Sequence, residues 1–204
     1  YLQRLVKKYF IEESELSYEK INNELKIGEN YINKEYFEMI NFHKFEEKSF
    51  TDKAPQNFRW IGILKIFFPN SKIVYCKRNP KDNCLSIYKN FFAADDMNWA
   101  FDQSDIGNYY NLHLNLIEYW KSKLGNFIYE VNYEKLVSNK EEEVKKLINF
   151  CGLEWDEACL NHHKNKKTPI KTVSISQARK PVYQSSVNSS SNYQVYLSEM
   201  FDLL

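Results

Sequence analysis

Glycine and proline are scarce, five of each in 204 residues, and no apolar run approaches the roughly 20 residues that cross a bilayer. The first scarcity excludes a low-complexity or disordered chain, and the second excludes a transmembrane segment; a signal-peptide pattern is absent too. Net charge is also small. Against 28 lysines and arginines stand 27 aspartates and glutamates, so no global field draws the chain to nucleic acid or to an anionic membrane, and partners have to be argued locally. Cysteine is limited to Cys76, Cys84, Cys151 and Cys159, with no C-x-x-C pair. Three of them sit in apolar sequence, so they read as buried thiols of a reducing, cytoplasmic compartment and not as a disulfide framework. Cys159, His162 and His163 are close in sequence, but the second pair of ligands at zinc spacing is missing; the segment reads as a surface helix end, with no metal.

What the chain does have is aromatic packing. Aromatic residues make up 16% of it, with 15 Tyr and 14 Phe, and the length fits one domain with a sizeable core. Helical spacing predicts helices over Tyr1 to Phe10 and from Ser17 to about Phe42, the second interrupted or kinked at Gly28. Ser49 to Asn57 reads as a short strand ending in a proline loop, with Lys53 at the strand's end, followed by an amphipathic helix from Phe58 to Phe68. Lys72 to Cys76 is β-rich and apolar enough for a buried strand. Lys81 to Phe91 again has helical spacing. Strand, helix, strand and helix in close succession predict an α/β fold with a parallel sheet flanked by helices.

Further on, Asp95 to Asp105 is a polar connection and Asp105 to Lys123 a long helix stopped by Gly125. Asn126 to Tyr133 alternates as a strand with Tyr133 and Glu134 at its C-terminal end. Ser138 to Cys151 is predicted as a helix capped by Ser138, with Glu141, Glu142 and Glu143 at its positive end and Gly152 closing it. Trp155 to His163 reads as a short helix. Thr172 to Tyr183 carries hydroxyls and two adjacent cations beside a proline and reads either as a binding loop or as a solvated loop. Ser185 to Ser191 is a Ser/Asn-rich link to a final helix near Gln194 to Leu204.

The stretch richest in chemistry is Arg78-Asn79-Pro80, between a strand and a helix. Asn79 precedes a proline, which biases it away from the α region, and Pro80 has no donor to lose at a first helical position, so a helix should begin there. Free N–H groups at a helix start and an arginine fork both suit a phosphate, and Ser86, about two turns along, can add a hydroxyl. The alternative is an arginine paired with a surface carboxylate on an ordinary connection.

Taken in order, DKAPQNFRWIG, FPNSKIVYCKRNPKDNCLSIY, VNYEKLV, FCGLEWDEACL and TVSISQARKPVY resemble the sulfotransferases that use 3′-phosphoadenosine 5′-phosphosulfate (PAPS). More narrowly, they resemble the bacterial sulfotransferase-domain proteins, often joined to tetratricopeptide repeats, and the related tyrosylprotein sulfotransferases. The resemblance covers about Ser49 to Leu204. It implies a P-loop-like sulfotransferase domain, a single partial domain over residues 1 to 204, in which Arg78 and Ser86 hold the nucleotide 3′-phosphate and Tyr133 lies at the adenine. Ser174 to Tyr183 is then the late loop over the nucleotide, with Lys180 and Arg179 as its cations, and Lys53 and Ser174 stabilise the transferring sulfuryl group.

The implied reaction moves a sulfuryl group in line from PAPS to a hydroxyl acceptor (peptide, carbohydrate or small molecule), leaving 3′-phosphoadenosine 5′-phosphate (PAP) and requiring no metal. Three departures stand against the pattern. The family's phosphosulfate loop and the acidic base that follows it have no match, so the chain is expected to lack the N-terminal part of the domain, where that strand and loop would lie; any tetratricopeptide repeats would also lie outside it. Asn90 stands where the tyrosylprotein enzymes have an arginine, and Ser189, Ser190 and Ser191 stand where relatives tend to have Trp and Lys. Two other readings follow: a PAP-binding remnant or pseudoenzyme without turnover, and a P-loop kinase-like phosphotransferase, against which stands the absence of G-x-x-x-x-G-K-[ST].

Overall fold

The computed structural model describes residues 2–12, 19, 22–23, 31–41, 49–92, 95–164 and 180–204. They fall into two compact units, 1–71 and 72–204.

In the first unit, α1 (Leu2–Val6) runs on into a π-helical turn over Lys7–Glu12, and α2 spans Tyr31–Asn41. Leu2, Leu5 and Val6 fall on one face of α1, and Ile32, Tyr36 and Ile40 on one face of α2, the i, i+3, i+4 spacing that makes a helix amphipathic. These faces meet Phe67 and Phe68 at the end of α3 (Ile61–Phe67) in one hydrophobic cluster. Tyr36 packs edge-on against Phe68 with ring centroids 4.9 Å apart, while its hydroxyl donates to Asp52 at 2.6 Å. Burial, reinforced by that carboxylate, raises its pKa well above the ordinary tyrosine value. Most of the helix expected over Ser17 to Phe42, Gly28 included, lies outside the described residues; its last part is α2.

The strand expected over Ser49 to Asn57 does not form. Residues 49–54 take no regular structure and Pro55–Trp60 is a 3-10 helix, opened by a proline that cannot donate to a strand ladder. Lys53 is exposed in the irregular stretch, not at a strand's end.

In the second unit, β1 (Ile73–Lys77) pairs in parallel with β2 (Ile128–Asn132), from Ile73 opposite Ile128 to Lys77 opposite Asn132. Among the described residues this two-stranded pair is the whole sheet, so the architecture is a helix-rich α/β arrangement with a small parallel sheet. Between the strands run α4 (Pro80–Tyr88), a 3-10 stretch over Asp95–Phe101, and α5 (Gln103–Leu124). Parallel pairing requires such a crossover, because the chain must return to the starting end of the sheet. Pro80 does open α4, and the Asn79 side chain accepts from the Asp82 amide at 3.1 Å, a cap that contributes about 1 kcal/mol. Asp102 caps α5 in the same way, through the Asp105 amide at 2.9 Å, and Gly125, at a φ of +47°, ends it.

After β2 the chain turns at once into α6 (Tyr133–Ser138) and then α7 (Lys140–Cys151). Tyr133 and Glu134 therefore begin a helix instead of ending a strand. Ser138 is the last residue of α6, its hydroxyl donating to the Lys135 carbonyl at 3.1 Å, and Asn139 takes the cap position of α7 that the sequence suggested for Ser138. Glu141, Glu142 and Glu143 do occupy the first turn of α7, and Gly152, left-handed at a φ of +71°, closes it. The stretch expected as a helix from Trp155 is a 3-10 helix over Glu157–Lys164. The final helix is shorter than expected: a 3-10 turn over Ser189–Tyr193, then α8 over Ser198–Phe201.

The core of this unit joins Cys84 and Leu85 of α4, Ile106 and Tyr110 of α5, and Leu197, Met200 and Phe201 near the C-terminus. Of the cysteines only Cys84 is fully buried, its thiol pushed up to about 12 by burial; Cys76 is exposed, because it points to the open side of β1. Among the described residues no helix is long and apolar enough to cross a membrane.

Gly107 faces the C-terminal segment so closely that an added Cβ would lie 2.8 Å from Leu203 Cδ1, 3.0 Å from its Cβ and 3.3 Å from the Met200 carbonyl. Overpacking of this kind costs about 1–3 kcal/mol, more than the roughly 1 kcal/mol of helix propensity an alanine adds. Gly107→Ala is expected to lower the thermal unfolding midpoint, whereas an unchanged or raised midpoint would show that the segment yields freely.

Candidate active site

The register of the sheet builds the site. Because Lys77 lies opposite Asn132, the next residues, Arg78 and Tyr133, emerge side by side at the carboxyl ends of the two strands, where ligands of parallel α/β sheets bind. The Arg78 guanidinium carbon is 5.1 Å from the centroid of the Tyr133 ring, within cation–π range. Its Nη2 donates to the Ser186 carbonyl at 2.6 Å and is 4.0 Å from Asp82 Oδ2. Its Nε–H is buried and finds no acceptor among the described residues. Arg78 thus has a buried carboxylate neighbour and keeps donor capacity beyond it.

Ser86 lies on α4 one turn beyond Asp82 and is half-buried. Asn90 donates through its side-chain amide to the Ser86 carbonyl at 2.6 Å and so caps the end of α4. The Asn79 amide at the start of α4 donates to Glu134 Oε1 at 2.8 Å. A helix start that would otherwise offer this N–H to an anion has it taken by a carboxylate.

Lys180 is exposed, and its carbonyl accepts from His162 Nε2 at 3.2 Å. Ser174 and Arg179 lie outside the described residues, and Lys53 belongs to the first unit. Of the residues singled out in the sequence, the second unit thus brings Arg78 and Tyr133 together at one strand-to-helix edge, while Ser86 lies further along α4. Among the described residues no group of three or more His, Cys, Asp or Glu side chains is gathered to hold a metal ion.

Sequence reasoning missed Asp82. It is 1% exposed, and its carboxylate accepts from the Asn188 amide at 2.7 Å, the Ser190 amide at 2.8 Å and the Ser189 hydroxyl at 3.3 Å. Its place three residues after the cap Asn79 is that of an acid reaching back to the cap amide in a capping box, so its sequence signal points to a local role. Glu134 occupies that amide, and Asp82 turns to the C-terminal segment instead. Burial raises its pKa, but hydrogen bonds from Ser190 and Asn188 and the charge of Arg78 outweigh that and hold the carboxyl below its ordinary value.

A carboxyl with a lowered folded pKa stabilises the fold fully above its unfolded value, near 3.9, and loses that contribution as pH falls through the folded value. Asp82→Asn should therefore be less stable than wild type at pH 7, with the gap closing as the solution is acidified below about pH 4. Urea unfolding at both pH values measures the gap, and a gap that is constant with pH would contradict the bonded, ionised carboxylate.

The model of the sulfotransferase family matches residues 2–157, beginning well before Ser49 and including Lys53, Arg78, Ser86 and Tyr133. An "Uncharacterized protein" of Aquifex aeolicus (strain VF5) is 38% identical over 161 residues, which are 78% of this chain and 21% of that protein. A "Putative protein-tyrosine sulfotransferase" of Caenorhabditis briggsae is 24% identical over 122 residues, covering 55% of this chain and 40% of that one. The chain thus spans about a fifth and two fifths of the lengths of these two relatives. With the family match running over most of its length and across the strand-to-helix edge that carries Arg78, the chain belongs to the sulfotransferase family.

Proposed function

We propose that the protein moves a sulfuryl group from PAPS to a hydroxyl acceptor, with its nucleotide phosphate at Arg78. The observation that carries this reading is the position of Arg78: at the carboxyl end of a parallel strand, against the Tyr133 ring, at the entry to a helix, with a buried Nε–H still available. In it Arg78 and Ser86 bind the 3′-phosphate, Tyr133 packs against the adenine, and Arg179 and Lys180 close over the nucleotide from the late loop. Lys53 and Ser174 serve the sulfuryl group. The domain is P-loop-like.

The chemistry assigns the cations their task. In an in-line transfer the bond from sulfur to the acceptor oxygen forms as the bond from sulfur to the leaving phosphate oxygen breaks. The acceptor's proton passes to a base, and PAP departs with the electron pair of the broken bond. Negative charge grows on the leaving phosphate, where a lysine is worth most in a site that excludes water. The acceptor is a hydroxyl of a peptide, carbohydrate or small molecule. The name of the Caenorhabditis briggsae relative favours a tyrosine hydroxyl, whereas Asn90 in place of an arginine argues against it.

A second reading, PAP binding without turnover, draws on the sequence itself, in which the family's phosphosulfate loop and the acidic base that follows it have no match.

A thermal-shift titration of the chain with PAP tests the common ground of both readings. At one hundred times the dissociation constant a ligand adds about 2.7 kcal/mol, so the midpoint should rise clearly, Arg78→Ala should abolish the rise, and ATP should give none. No shift with PAP, or an equal shift in Arg78→Ala, would overturn the assignment of the phosphate to Arg78. Transfer of labelled sulfate from PAPS to a phenol then separates enzyme from binding remnant.

A further inference from the structure

Asp82 presents an energetic problem that α4 alone does not solve. Burying a carboxylate costs several kcal/mol unless its oxygens are fully hydrogen-bonded, and nothing in the helix requires an acid there once Glu134 holds the cap amide. Its hydrogen-bond donors all come from more than one hundred residues away, in the turn of Asn188, Ser189 and Ser190. Asn188 adopts a φ of 58°, the left-handed conformation that non-glycine residues rarely take, and successive amides around such a residue form a concave nest for an anion. The anion in this nest is Asp82.

The same segment also touches Arg78. Ser186, two residues before Asn188, gives its carbonyl to Arg78 Nη2 at 2.6 Å, while Asp82 Oδ2 lies 4.0 Å from that nitrogen. Arg78 and Asp82, one helical turn apart in sequence, thus grip one short stretch of chain. A guanidinium is planar, so holding one edge fixes where its remaining N–H groups point, in contrast to the freely turning ammonium of a lysine. Here the held edge is Nη2, against Ser186 and Asp82, and the Tyr133 ring lies 5.1 Å away.

We infer that Asp82 is a positioning residue: its buried carboxylate fastens the Asn188–Ser190 turn to α4 and, through the Ser186 carbonyl on that segment, sets the guanidinium plane of Arg78 so that its other N–H groups meet the nucleotide phosphate. The role of the anion rests on the proposed function. The fastening and the orientation of Arg78 do not.

The test compares the full chain with its Asp82→Asn, Ser189→Ala and Arg78→Lys variants and with the double variant Arg78→Lys/Asp82→Asn. It reads the exchange rates of the Asn188 and Ser190 amides, the Arg78 Nε–H resonance, and the dissociation constant of PAP. Asp82→Asn is expected to speed exchange at both amides at least about tenfold, to move the Nε–H resonance, and to weaken PAP by about tenfold, the scale of one lost buried hydrogen bond. The amides of α5 should stay protected, which excludes unfolding as the cause. Because Asp82 acts through the guanidinium, the double variant should bind PAP no more weakly than Arg78→Lys alone. Ser189→Ala removes only the 3.3 Å bond, should act in the same direction to a smaller extent, and decides the question if Asp82→Asn does not fold.

Faster exchange with an unmoved Nε–H resonance, or losses of PAP affinity that simply add in the double variant, would reduce Asp82 to a structural residue and overturn the inference. Should wild type itself not bind PAP, the donor reading falls, and the exchange and resonance data alone then uphold or overturn the positioning of Arg78.

Discussion

The register between β1 and β2 is the constraint on which the site depends. Lys77 opposite Asn132 makes both strands end together, and each then enters a helix capped by an asparagine, Asn79 for α4 and Asn132 for α6. Two helix starts lie side by side, with Arg78 and Tyr133 at the crossing. A slip of one residue would turn the side chains of a strand to the opposite face and separate this pair. The hydrogen bond from the Asn79 amide to Glu134 ties the two turns directly, so the geometry around Arg78 is held by backbone as well as by packing.

Around this edge the electrostatics are divided between groups that are satisfied internally and groups that are not. Asp82 and Glu134 each have their donors within the protein, which removes two carboxylates from competition for the arginine's outward N–H groups. Arg78, only partly exposed at 21% of its side chain, retains a buried Nε–H without an acceptor among the described residues. In the proposed function, that remaining donor capacity is what an anionic phosphate would use.

Much of the local architecture was readable from residue types. Pro80 after Asn79 marked the start of α4, Gly125 and Gly152 marked helix ends, and the run of three glutamates marked the first turn of α7. The failures have particular causes. Ser49 to Asn57 has strand-like residues, but a strand needs a partner and Pro55 cannot donate, so the segment ends in a 3-10 turn. Ser138 and Asn139 are both good caps, and the helix before them, α6, uses up Ser138. Cys76 is apolar in its sequence context yet exposed, because alternation along a strand does not say which face is covered.

The sequence by itself determined that Arg78 stands at a strand-to-helix turn, that Ser86 lies about two turns along the helix that follows, and which family pattern these residues repeat, because helix starts, stops and spacing are properties of neighbours in the chain. Only the tertiary structure decided that Tyr133 meets Arg78, that Glu134 takes the Asn79 amide, and that Asp82 is bonded to Asn188, Ser189 and Ser190. Those contacts join residues 55 or more positions apart. They depend on strand register and on the docking of the C-terminal segment, where hydrophobic burial of Leu197, Met200 and Phe201 against α4 and α5 brings the polar partners within reach.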